Sequence, residues 1–132
     1  MISVTSKSRY AVLALAELSL SGDGPVPTSQ VAERREMPVQ FLEQLFATLR
    51  RAGFLVSQRG VGGGYRLARP AAEITVLDIV QALDGQVGQE AEEAGGIWLE
   101  GVQALRTVFA STTIEEIARR EAAAGGAGMY YI

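Results

Sequence analysis

Between Pro38 and Gly53 the leucines Leu42, Leu45 and Leu49 recur at spacings of three and four, which puts them on one buried stripe of a helix. The opposite stripe is polar, with Gln40, Glu43, Gln44, Ala47 and Arg51 facing outward together. Pro38 suits the first turn, where its missing N–H is no loss. Gly53 can take the left-handed conformation that stops a helix. Phe54-Leu55-Val56 then reads as a strand, Gly60, Gly62, Gly63 and Gly64 permit a tight return, and Tyr65-Arg66-Leu67 reads as its partner. The predicted order is helix, strand, turn, strand.

The flanking segments repeat the helical period. Ala11, Leu15 and Leu18, broadened by Val12 and Leu13, predict a first helix that follows the hydroxyl-rich stretch from Ser3 to Ser8 and runs to about Ser21. Gly22-Asp23-Gly24-Pro25 breaks it. Thr28 is expected to N-cap a short helix through about Glu36, and Met37-Pro38 turns the chain into the next, giving a helix-turn-helix. Pro70 ends the hairpin, and Thr75 with Asp78 opens a short core helix to Leu83. Residues 85–96 read as an acidic loop containing Glu90, Glu92 and Glu93. From Ile97 to Ala110 the spacing of Trp98, Val102, Leu105 and Phe109 makes a coiled-coil-like seam, and Ser111-Thr112-Thr113 caps a last helix to about Ala122. A small winged core does not need this further long apolar helix for itself, so it reads as the dimerisation element. The fold expected is mainly α. A winged helix-turn-helix domain with a two-stranded β wing spans 1–84, dimerisation helices span 97–122, and a small-residue tail over 123–132 ends in Met129-Tyr130-Tyr131-Ile132.

Composition narrows the function. With 132 residues, 48% of them apolar, the chain supports one domain plus an appended element. The opening MISVTSKSRY is polar, and no apolar run approaches the roughly 20 residues that span a bilayer, so a soluble cytoplasmic protein is expected. Cysteine and histidine are absent, which excludes disulfides, thiolate-bound clusters and imidazole metal sites. The three loop glutamates are more simply a solvated acidic segment than a hard-cation site. The net charge of −3 hides an asymmetry: residues 1–70 carry nine Lys/Arg against five Asp/Glu, whereas residues 71–132 carry three against ten. A basic half that can face phosphates is joined to an acidic half that repels them.

The candidate chemistry is recognition rather than catalysis. No His or Cys can serve as base or nucleophile, no Walker motif is present, and Glu115 and Glu116 sit in a helix-cap context. The polar face of Gln40, Glu43 and Gln44 mixes groups able to read base edges in a major groove. Arg59 and Arg66 make the hairpin a basic wing, with Arg59 placed for minor-groove insertion. Arg50 and Arg51 favour the helix dipole and the DNA backbone, and Thr28 and Ser29 can donate to phosphate. A plain helix and hairpin with a solvated polar face is the bland alternative, and a protein-interaction module without DNA binding is a second.

The run FLEQLFATLRRAGFLVSQRGVGGGYRL resembles, nearly position for position, the signature of the Rrf-type winged-helix transcriptional regulators, the family of IscR, NsrR and CymR. The resemblance extends from SKSRYAV to the closing residues. It implies a homodimeric DNA-binding regulator in which Ser6, Lys7, Arg9 and Tyr10 of the first helix match positions near the DNA backbone. Tyr10 reads equally well as a core aromatic. Cluster-binding branches carry cysteines between the core helix and the dimerisation helix; this chain has none, so that sensing mechanism does not transfer and no cofactor is expected. The ending MYYI, the STTIEEIA segment and the lack of cysteine look like the CymR branch, repressors of cysteine-metabolism genes that work with cysteine synthase (O-acetylserine sulfhydrylase). By that resemblance Ile132 would enter the synthase active site, mimicking the carboxylate end of its amino-acid substrate, and Tyr130 and Tyr131 would fill the entrance. Docking of the tail on its own dimer is the alternative, as is a small-molecule-responsive regulator unrelated to cysteine.

Overall fold

The computed structural model describes residues 5–124. Its elements are α1 (Ser6–Leu20), α2 (Thr28–Arg35), α3 (Val39–Arg51), β1 (Leu55–Gln58), β2 (Gly64–Leu67), α4 (Val76–Asp84), α5 (Gln89–Ala94), α6 (Gly96–Ser111) and α7 (Ile114–Ala124). One 3-10 turn, Ala71–Glu73, links the wing to α4. The architecture is the winged helix-turn-helix that the sequence predicts, with a two-stranded antiparallel wing and a long helix beyond it.

The core forms where the apolar stripes of α1, α2 and α3 meet. Ala11, Leu15, Val31, Leu42, Leu45 and Leu49 are buried, and so is Phe46, which lies beside the leucine stripe and packs edge-on against Tyr65 of β2 at 5.1 Å between ring centroids. That contact ties the reading helix to the wing. The turn between α2 and α3 is short because Glu36 takes a left-handed conformation, φ 54°, and the Met37 N–H returns to the Ala32 carbonyl. The wing register pairs Leu55 with Leu67 and Gln58 with Gly64, and Val26 adds an isolated bridge to Tyr65 through two backbone hydrogen bonds of 2.9 Å. A Cβ on Gly64 would lie 2.2 Å from the Val26 carbonyl oxygen, so that bridge requires glycine.

Several expectations change. Thr28 does not cap α2: the N-cap is Pro27, whose extended backbone is set by the neighbouring Val26 bridge, and Thr28 is the first helical residue. The hydroxyl-rich start does not wholly precede α1, since Ser6 and Ser8 lie within its first turn. Thr75 and Asp78 do form a reciprocal capping box. The segment expected as an open acidic loop contains α5, because Gly88 takes a left-handed conformation against Val102 and Ala91 is buried. Arg106 of α6 braces this region by donating to the Val87 carbonyl and to Glu92. The expected seam on α6 is thereby split: Val102 is fully buried within its own chain, Trp98 is exposed, and Leu105 and Phe109 are half-buried. Helix α7 packs on the winged core through Ile114, Ile117 and Ala118. Tyr130, Tyr131 and Ile132 lie outside the described residues.

Candidate nucleic-acid interface

Because Leu42, Leu45, Phe46 and Leu49 commit one side of α3 to the core, its other side must face out. Val39, Gln40, Glu43, Gln44, Arg50 and Arg51 are all exposed there. The Arg51 guanidinium donates to the Thr48 hydroxyl at 3.2 Å, and that hydroxyl donates to the Gln44 carbonyl at 3.1 Å, so Arg51 is held along the helix. Gln40, Glu43 and Gln44 make no hydrogen bond of their own side chains among the described residues, leaving amide and carboxylate groups for an outside partner.

Helix α1 brings its basic start to this face. Lys7 shares a shallow hollow of about 200 Å³ with Phe41, Gln44, Leu45 and Thr48. One turn on, Tyr10 packs edge-on against Phe41 at 5.5 Å and remains 42% exposed, so the ring pins α1 to α3 while its edge stays accessible. The hydroxyls at the helix start are largely engaged within the chain. The Thr5 N–H and hydroxyl and the Ser8 hydroxyl all donate to Asp84 at the end of α4, at 2.6 to 3.0 Å. Partial burial pushes the Asp84 carboxyl up, but the Ser8 and Thr5 hydrogen bonds and the Lys7 charge outweigh it and hold the group below its ordinary value. Asp84 therefore occupies part of the anion site that the α1 N-terminus offers. Ser6 and Lys7 remain exposed beside it.

The other predicted cations are dispersed. Arg59 stands exposed at the tip of the wing, where Gly60 and Gly62 take positive φ. Arg66, opposite Val56, lines a different hollow with Asp23, Arg69 and the C-terminal end of α1. Arg9 points from α1 toward α4, α6 and α7, away from the hollow that holds Lys7. Thr28 is half-buried, whereas Ser29 is exposed. The structure thus gathers Lys7 with the α3 face, and leaves Arg9 and Arg66 on other surfaces.

Sequence reasoning missed Arg35. Its guanidinium makes a bidentate pair with Glu121 of α7, at 2.6 and 2.9 Å, and a further bond of 2.9 Å to Glu17 of α1. Burial alone would lower the Arg35 pKa; hydrogen bonding and charge from Glu121, then Glu17, raise it instead. The clamp fixes α2, and with it the turn that aims α3. Its partners are 18 and 86 residues away, a separation no local pattern reports.

Comparison with known proteins places the sequence and the fold. The family model described as "Rrf2: Iron-dependent Transcriptional regulator" matches residues 4–120. The HTH-type transcriptional regulator IscR of Xenorhabdus nematophila is 35% identical over 131 residues, covering 89% of this chain and 80% of that protein. The structure of CymR, the global cysteine regulator of B. subtilis, superposes with a TM-score of 0.82 at 31% identity, covering 91% of this chain and 98% of CymR. T. potens IscR gives 0.77 at 33% identity, covering 99% and 94%. The iron dependence in the family description does not fit the residues present. The sequence has no cysteine or histidine, and among the described residues no three Asp or Glu converge to hold a metal ion.

Proposed function

The chain belongs to the Rrf2 family of DNA-binding transcriptional regulators, and from that premise we propose that it is a homodimeric repressor of cysteine and sulfur-metabolism genes. Each protomer lays α3 in a major groove, with Gln40, Glu43 and Gln44 at base edges, Ser6, Lys7, Arg50 and Arg51 at phosphates, and Arg59 reaching from the wing into the minor groove. The observation that carries this reading is the single hollow in which Lys7 of α1 meets Gln44 and Thr48 of α3, a phosphate-seeking cation beside a base-reading face. A twofold dimer sets the two reading helices about 34 Å apart, one DNA turn, on a pseudo-palindromic operator.

The assignment to cysteine metabolism is supported by the likeness to a global cysteine regulator and by the closing MYYI. On this reading Ile132 enters the active site of cysteine synthase with Tyr130 and Tyr131 filling its entrance, and accumulating substrate displaces the tail and loosens the repressor from its operator. Two titrations test it. At fixed moderate salt, Arg59→Ala lowers operator affinity and Gln44→Ala alters sequence preference; both variants binding as the parent does would refute the DNA roles. Deletion of Tyr131 and Ile132 abolishes synthase binding in a pull-down, and retained binding would refute the tail's role without touching the DNA assignment.

A further inference from the structure

Arg66 and the Gly22-Asp23 turn found no place at the nucleic-acid interface. Folding brings them together in a hollow of about 480 Å³ between the end of α1 and the chain leaving the wing, with Arg69 as its third charged residue. Among the described residues none of the three side chains forms an ion pair or a hydrogen bond. Each is held by its own element instead. The Arg69 guanidinium lies 4.9 Å from the centroid of the Phe54 ring, which pins it. Arg66 alternates with the core-packed Tyr65 and Leu67, so it projects from the other face of the wing. Asp23 follows Gly22, which takes φ 88°. Opposite charges thus line one hollow without closing on each other.

At the positive pole a main-chain donor joins the two guanidinium groups. Tyr65 gives its N–H and its carbonyl to Val26, and the Ala68 N–H bonds the Phe54 carbonyl on the opposite edge. The alternation of an antiparallel ladder therefore turns the Leu67 N–H and carbonyl toward the Val26 edge, past the point where the loop from α1 leaves it. They find no backbone partner there among the described residues, and Leu67 lines the hollow. At the negative pole, Asp23 lies beyond the carbonyl end of α1, whose last turn holds no basic residue. A carboxylate at that end is unfavourable for the helix unless a cation joins it. Leu18, Pro70 and Ala71 add apolar wall.

We propose that this hollow binds a free α-amino acid. The ligand carboxylate accepts from Arg66, Arg69 and the Leu67 N–H, its ammonium donates to Asp23 and to the Ser19 hydroxyl, and its side chain lies on Leu18, Pro70 and Ala71. A zwitterion satisfies both poles. An anion alone would face Asp23 uncompensated, and a cation alone would face two guanidinium groups. The volume falls within the range of small-molecule sites, about 300 to 1,000 Å³. The regulatory consequence rests on the DNA reading above. One wall of the hollow leads through the Val26 bridge into α2, and the other is the strand that carries the wing with Arg59. A ligand held by both walls fixes the wing against the helix-turn-helix, which couples occupancy to operator affinity.

Isothermal titration calorimetry of the full chain without DNA, with each standard amino acid in turn, is expected to find at least one that binds. Asp23→Asn and Arg66→Ala are each expected to weaken that binding about tenfold or more, whereas Arg119→Ala, which removes a charge from the exposed side of α7, leaves it unchanged. Asp23 and Arg66 are exposed, so circular dichroism of both variants should match the parent. Absence of binding by every amino acid would overturn the proposal. So would equal affinity for the same acid lacking its amine, or for inorganic phosphate, since either would reduce the hollow to a general anion site. Equal weakening in Arg119→Ala would trace the binding to net charge and overturn the site. In the operator titration at fixed salt, the saturating amino acid is expected to change the affinity of the parent about fivefold or more and to leave that of Asp23→Asn unchanged. An unchanged parent would overturn the coupling. A chain that binds no operator would overturn the DNA reading instead, and the calorimetry would still decide whether the hollow takes an amino acid.

Discussion

Arg35 has a side chain only 7% exposed and binds carboxylates from helices near both ends of the described chain, so its loss takes from the buried Glu121 its bidentate cation, while Glu17 keeps Arg34. Removing one partner of such a buried set costs about 3 kcal/mol. Urea denaturation of Arg35→Ala is expected to show that loss, and a change under 1 kcal/mol would show the clamp to be dispensable. Asp84 acts at the same scale through pH. Its folded-state pKa is depressed, so its contribution is fully present above the unfolded value near ~4 and fades as pH falls through the folded value. Thermal melts of Asp84→Asn should therefore depend less on pH than the parent below ~4, and equal slopes would contradict the anchoring of α1 by this carboxylate. Local chemistry made some residues legible in advance, the Thr75–Asp78 capping box above all, since its two groups are three positions apart. Arg35 and Asp84 were not legible, because a charged residue announces nothing about partners that only folding brings near. Arg9 and Arg66 were legible as cations but not as to the surfaces they occupy.

At the scale of elements, period decided what could be read. Leu42, Leu45 and Leu49 fix the buried side of α3 and hence its exposed polar side. The glycine-rich return fixes the wing, but its third partner, Val26, belongs to a loop with no strand pattern. That bridge makes Gly64 a sensitive position, with φ at 146° and the Val26 carbonyl against its α-carbon. Gly64→Ala is expected to cost about 2 kcal/mol or more in denaturant titration and to loosen the wing that carries Arg59; stability within 0.5 kcal/mol of the parent would contradict the bridge. Helix α6 was legible as a helix, yet its apolar residues outnumber those of one stripe. Trp98, Val102, Leu105 and Phe109 form a regular row, as do Ile97, Gly101, Ala104 and Val108. The packing of α4 and α5, with Gly88 seated against Val102, determines which row turns inward.

At the scale of the whole molecule, the division of charge follows the division of labour. The winged half holds the excess of cations, and the half beyond residue 70 holds ten acidic groups against three basic ones. Phosphates attract one part and are repelled by the other, which orients the protein before any base is read. The central claim is that two copies present their α3 helices to successive turns of one duplex. Selection of bound DNA from a random pool by the full chain, at fixed salt, tests it most directly. The expected product is an inverted repeat with half-site centres about 10 base pairs, or a whole number of turns, apart. Enrichment of a single unpaired half-site, or no enrichment over the starting pool, would contradict it.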